Sequence, residues 1–227
     1  MEPSKSGKTL WEMLCDRVRG QGNGAGLPFS NPLSLGVGSA VNVPCANGPD
    51  FANFDFAVEE IREYTRHISG QEFVFTDYVL RGVNTKSFAA DDALVARLRV
   101  VPNPAGGQDK LLLRLEDEFA FAEDFLAVVK DTTGLFEVTD DQSGARQSFS
   151  RINDLRESYQ AAVLVVSATT PEGKASPGKA VPVKLEYWDY WRDADLGGGH
   201  RAKEFLFVEM NSDNGWFQIW RGREFFE

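Results

Sequence analysis

From Leu27 onward the chain is written mostly as short runs in which apolar and polar residues alternate. That period of two is the signature of strands with one face buried. Leu33, Leu35, Val37 and Val41 fall on odd positions of the first run. Val58–Ile68 has two readings. Val58, Ile61, Thr65 and Ile68 suit a helix, whereas Arg62, Tyr64, Arg66 and Ile68 suit a strand. The strand is favoured, because Ser69-Gly70-Gln71 makes a short turn and EFVFTDYVLRG, rich in β-branched and aromatic residues, follows it.

Further apolar runs occupy 94–101, 111–115, 125–129, 135–138, 149–152 and 161–166. Gly- or Pro-bearing turns separate them, among them PNPAGGQD at 102–109 and TTPEGKASPGK at 169–179. This spacing leaves little room for crossover helices and predicts antiparallel sheets. Ala120–Lys130 is the best candidate for an internal helix. The chain then reads as a meander: Val181–Arg192, a Gly-rich loop, Phe205–Met210, NSDNG, and Trp216–Trp220. In that last strand Trp216, Gln218 and Trp220 share one face, with Phe217 and Ile219 on the other.

The expected fold is therefore mainly β, an antiparallel meander closing as a barrel or a sandwich. It has two related halves, 27–146 and 147–227, packed as one unit. Residues 1–26 form a separate lead-in. Ser6 caps a helix over 7–19 whose Leu10, Trp11, Leu14 and Val18 make one apolar stripe, and Gly20–Gly26 is a tether. That helix either packs on its own domain or docks on a partner protein or membrane surface.

The two halves share a local pattern. Glu63-Tyr64-Thr65-Arg66 stands beside Asp189-Tyr190-Trp191-Arg192, and Glu72-Phe73-Val74-Phe75-Thr76-Asp77 beside Glu204-Phe205-Leu206-Phe207-Val208-Glu209. This predicts one hairpin design used twice, with a longer second loop. In each copy the arginine and the carboxylate, Arg66 with Asp77 and Arg192 with Glu209, are expected to clamp the hairpin.

Composition narrows the function classes. The 227 residues carry a formal net charge of −10. Nucleic-acid and anionic-lipid binding both need clustered Lys and Arg, so neither is expected. Cys15 and Cys45 lie in unlike contexts and read as two reduced thiols, which fits a cytoplasmic location. No stretch is apolar enough to span a membrane, and the first twenty residues lack a signal-peptide pattern.

Familiar chemistry is thin. Ser6-Gly7-Lys8-Thr9 lacks the upstream glycine and strand of a phosphate loop. His67 and His200, with two separated cysteines, do not make a metal set. Asp193 and Asp195 open something like a calcium loop but lack its closing glutamate. Carboxylate pairs such as Asp91-Asp92, Glu123-Asp124 and Asp140-Asp141 are what any acidic protein supplies. No catalytic residue, metal or cofactor is expected.

NPLSLGVGSAV at 31–41, ISGQEFVFTDYVLRG at 68–82 and the block from Trp188 to Gly222 carry one resemblance. In these segments the chain resembles YjfK-like bacterial proteins of unknown function, and similar small β-rich domains encoded near phage-shock and membrane-stress genes. The resemblance implies a cytoplasmic accessory protein. The first expectation is thus a non-catalytic interaction or scaffold protein, linked to envelope stress, whose partner is another protein. The second is a sugar- or peptide-binding β module that uses its C-terminal aromatic face, with Trp188, Tyr190, Arg192, Trp216, Trp220 and Arg221 as contact residues. The third is a hydrolase built on paired carboxylates, which would need two of them facing across a cleft.

Overall fold

The computed structural model describes residues 31–44, 51–68, 71–86, 93–103, 106–139, 144–152, 159–169, 175–177, 183–195 and 201–225. The expected 7–19 helix, its tether, Cys15, Cys45 and His200 lie outside them. Twelve strands follow in chain order: β1 (Ala40–Val41), β2 (Phe54–Ile68), β3 (Gln71–Asn84), β4 (Leu94–Pro102), β5 (Gln108–Phe119), β6 (Leu135–Thr139), β7 (Arg146–Arg151), β8 (Tyr159–Thr169), β9 (Ala175–Pro177), β10 (Val183–Asp195), β11 (Arg201–Asn211) and β12 (Phe217–Glu224). The internal helix is present as α1 (Glu123–Val129), with Glu123 and Asp124 in the first turn, where its dipole favours negative charge.

Eight strands close into a ring by antiparallel pairing. The circuit runs β2–β3–β4–β5–β12–β11–β10–β8 and returns to β2. The architecture is a barrel rather than a sandwich, with four ring strands drawn from each expected half. β10 divides one edge between two partners. Val183–Tyr187 pair with β8, and Tyr190 and Trp191 pair with β7, which carries β6 on its far side.

The ambiguous stretch around Val58 is explained by a bulge. The β2–β3 register shifts between Val58 and Glu60, so Val58 and Ile61, three apart, both face outward. Beyond the bulge Arg62, Tyr64 and Arg66 run along the inner face. An extra residue breaks period two, which is how a bulged strand imitates a helix. A second shift separates Ile219 from Trp220 in the β12–β5 ladder. Glu116 is the unmatched residue, and past it Glu118 turns to the inside.

Two apolar layers cover the outside of the barrel. Phe56, Val58, Ile61, Tyr78, Leu80, Leu98 and Leu112 pack beneath Leu33, Leu35, Val37 and Val41. The incoming segment is pinned by Tyr78, whose hydroxyl accepts from the Leu33 amide at 3.1 Å and donates to Asn31 Oδ1 at 2.5 Å. On another face Trp188, Tyr190, Leu206, Val208 and Phe217 pack under α1 and the β6–β7 hairpin through Val129, Phe136 and Phe149.

The β11–β12 turn shows how short polar residues shape this fold. Asn211 Oδ1 accepts from the Asp213 amide at 2.9 Å, and Asn214 Oδ1 accepts from the Trp216 amide at 3.0 Å. Gly215 supplies the left-handed residue, φ 73°. At the other end of β12, Gly222 lies so close to β5 that an added Cβ would stand 1.9 Å from the Leu112 carbonyl oxygen. Gly222→Ala should therefore lower unfolding free energy by about 4 kcal/mol or more in urea titration. Gly36→Ala, whose Cβ would meet only Ser39 Oγ at 3.9 Å, should change it by less than about 0.5 kcal/mol.

Candidate functional site

The inner faces of β2, β3, β4, β10 and β11 place six charged side chains in the barrel lumen. Arg66, Arg97 and Arg99 face Asp77, Asp189 and Glu209, and none is more than 4% exposed. Several of these contacts join strands that are not neighbours in the ring, so they cross the lumen. Arg66 Nη1 donates to Asp189 Oδ2 at 2.7 Å. Arg97 Nη1 donates to Glu209 Oε2 at 2.7 Å. Arg99 holds Asp77 with two bonds of 2.8 Å and reaches Glu209 at 3.1 Å. Three cations and three anions leave the set neutral, which is what burial demands.

Aromatic rings line the remaining sides. The Arg97 guanidinium lies 3.6 Å from the Trp220 ring centre, and that of Arg66 lies 3.6 Å from Tyr187. Arg99 sits between Phe75 and Phe207, at 4.6 and 4.9 Å. Planar guanidinium groups suit this combination of carboxylate forks and ring faces better than lysine would. Burial alone would raise the Glu209 carboxyl, but Arg97 and Arg99 outweigh it and hold the group down at about 2.

Above the network the barrel opens into a cavity of about 370 Å³. One wall is apolar: Val163 and Val165 from β8, Val183 and Leu185 from β10. The facing wall is polar, with Arg62 and Tyr64 from β2, Glu118 from β5, Asn211 from β11 and Gln218 from β12. Asn214 and Trp216, from the β11–β12 turn, stand at the rim, and Trp216 is 44% exposed. Arg97 and Glu209 form the floor. Gln218 joins floor to wall, accepting from Arg97 Nη2 at 2.9 Å and donating to Glu118.

Tyr64 is the anomalous member of this lining. It is 1% exposed and stacks on Phe75, yet its hydroxyl makes no well-formed hydrogen bond among the described residues and has the Arg62 guanidinium as its polar neighbour. Burial pushes it up to about 12 against the pull of Arg97, so it stays a proton donor at neutral pH. Beside it, Arg62 spends Nε and Nη2 on one oxygen, Glu60 Oε2, at 2.8 and 2.5 Å.

The residues expected to bind together are divided by the barrel wall. Trp216 borders the cavity, and Trp220 lies beneath it under Arg97. Trp188 and Tyr190 face the other way, buried in the layer under α1, where the Tyr190 hydroxyl donates to the Val129 carbonyl at 3.1 Å. They form no contact surface. Arg192 and Arg221 are also outside the lumen. With Arg223 they converge on Glu204, at 2.5, 3.1 and 3.4 Å.

The expected hairpin clamps are replaced by other partners. Arg66 pairs with Asp189 rather than Asp77, and Asp77 pairs with Arg99. Arg192 pairs with Glu204, and Glu209 with Arg97 and Arg99. The reason is register. Tyr64 stands opposite Phe75, but in the second hairpin Asp189, not Tyr190, stands opposite Phe207. A one-residue offset puts Tyr190 and Arg192 on the opposite face from Tyr64 and Arg66.

Arg97 and Arg99 were not singled out from the sequence. Their signal was two arginines, two apart, inside the apolar run LVARLRVV. Glu118 and Asn214 carried no such mark, because a bulge and a turn bring them to the mouth, while Arg62 was legible only as a strand-face position beside Tyr64 and Arg66.

Among the described residues the fold and its site define an eight-stranded antiparallel β-barrel with a charge-balanced lumen and a two-sided mouth. No protein-family model, curated protein or solved structure matches the chain.

Removing one member of the network should be costly. Glu209→Gln leaves two buried guanidinium groups short of charge and should lose about 3–5 kcal/mol at pH 7. The folded carboxyl, at about 2, lies below its ordinary 4.5. Its contribution is therefore present above that ordinary value and fades as pH falls towards 2. Urea titrations at a series of pH values should show the gap between wild type and variant narrowing across that window.

Proposed function

We propose that this chain is a binding protein that takes one small amphipathic molecule into the barrel mouth. The observation that carries this reading is the formed cavity of about 370 Å³ with an apolar wall facing a polar one. Small-molecule sites have this character: a concave apolar lining with a few placed polar groups, at roughly 300–1,000 Å³. Trp216 at the rim offers a half-exposed ring to whatever enters. This is the ligand-binding expectation, moved from an outer aromatic face to the end of the barrel.

The other two expectations draw less support. A carboxylate hydrolase needs an acid that keeps its proton near neutral pH. Of the two carboxylates in the lining, Glu209 is held ionised by two guanidinium groups. The interaction reading rests on the family resemblance, and the segment it offers for docking, residues 7–19, lies outside the described residues.

Nile red, a neutral apolar dye, tests the mouth directly. The full chain should bind it with one-to-one stoichiometry and a blue-shifted emission. Val165→Trp, which fills the cavity from the β8 wall, should weaken binding at least about tenfold while thermal unfolding stays within a few degrees. Equal dye binding by this variant and wild type would sink the proposal.

A further inference from the structure

The geometry points to the chemical class of that molecule: an amphipathic carboxylate, whose head is read by Tyr64 and Arg62 and whose apolar body lies on the Val163–Leu185 wall. This deepens the mouth-binding reading and rests on it.

The argument is an inventory of hydrogen-bonding capacity left over at the mouth. The Tyr64 hydroxyl is buried beside the Arg62 guanidinium at the cavity wall, and no acceptor among the described residues takes its proton. A buried hydroxyl left unpaired costs free energy, and a bound acceptor would recover it. Arg62 directs two hydrogen bonds at Glu60 from Nε and Nη2, and the same guanidinium lies beside the Tyr64 hydroxyl on that wall, so cation and phenol face the cavity together. Asn211 and Asn214 spend their Oδ1 atoms on turn amides, which fixes each Nδ2 as a donor. Gln218 is used at both ends, by Arg97 and Glu118. Glu209 is used by Arg97 and Arg99.

Among the described residues the spare capacity is therefore mostly donor, with Glu118 the lining carboxylate outside the buried network. Such a mouth selects a ligand that brings acceptors and no protons. A carboxylate does so with two oxygens and about four lone pairs, and it matches an arginine and a phenol side by side. The lumen beneath is already neutral, so nothing there requires a cationic guest. The apolar wall then sets the rest of the molecule, a short hydrocarbon body rather than a polyol.

Displacement of Nile red from the full chain at pH 7 separates the two layers of this claim. Decanoate should displace the dye at a concentration at least about tenfold below that needed for decanol. Tyr64→Phe and Arg62→Gln should each weaken decanoate about tenfold and leave decanol unchanged. Tyr64→Phe removes only a hydroxyl that makes no well-formed hydrogen bond, so its thermal midpoint should stay within a few degrees of wild type, which keeps the test free of a folding defect. Equal displacement by decanoate and decanol would overturn the carboxylate assignment and leave the mouth as a site. Failure of the chain to bind Nile red at all would overturn both.

Discussion

The constraint on which the rest of this structure depends is charge balance inside the barrel. A ring of eight strands leaves a lumen that side chains must fill, and here much of the filling is ionic. Each buried charge is tolerable only because an opposite one is within hydrogen-bond reach. Arg97 and Arg99 share Glu209 and Asp77, and Arg66 takes Asp189. Apolar cores of similar volume are often as stable or more so. What the ionic one adds is direction. Forked guanidinium groups meet carboxylates from strands across the ring and fix the relative rotation of β2, β4, β10 and β11 in a way that branched aliphatics do not.

That fixed rotation is what makes the mouth a defined site. Arg97 and Glu209 belong to the network and to the cavity floor at once. Gln218 passes their alignment to Glu118 on the wall. Trp220 and Phe207, from the apolar layer they form with Leu111, Leu113 and Phe205, lie over the same guanidinium groups and cover their other side. The lining is thus set from below, while the turn carrying Asn214 and Trp216 sets it from above.

Much of the fold was legible in the sequence, for a physical reason: most strands have one buried face, and alternation records it. The apolar runs read at 94–101, 135–138, 149–152 and 205–210 overlap strands 94–102, 135–139, 146–151 and 201–211, the helix candidate 120–130 contains 123–129, and Trp216, Gln218 and Trp220 share a face. The site was less so. Bulges at Glu59 and Glu116 reverse the sense of alternation, and their positions leave little trace in residue type. The paired hairpins misled because similar words were offset by one residue in the first strand, and one residue is a change of face. Ring closure between β8 and β10 is a contact that local pattern cannot report.

The neutrality of the lumen is assembled in a particular order along the chain. β2, β3 and β4 bring Arg66, Arg97 and Arg99 but only one of the three acids, Asp77. The balancing Asp189 and Glu209 arrive with β10 and β11, and the ring itself needs β12 to reach β5. A chain still growing through its first half cannot dry its own interior, because two cations there have no counter-charge. Folding of the early strands is in this sense conditional on the late ones. The barrel is synthesised as two halves but can become waterproof only as a whole.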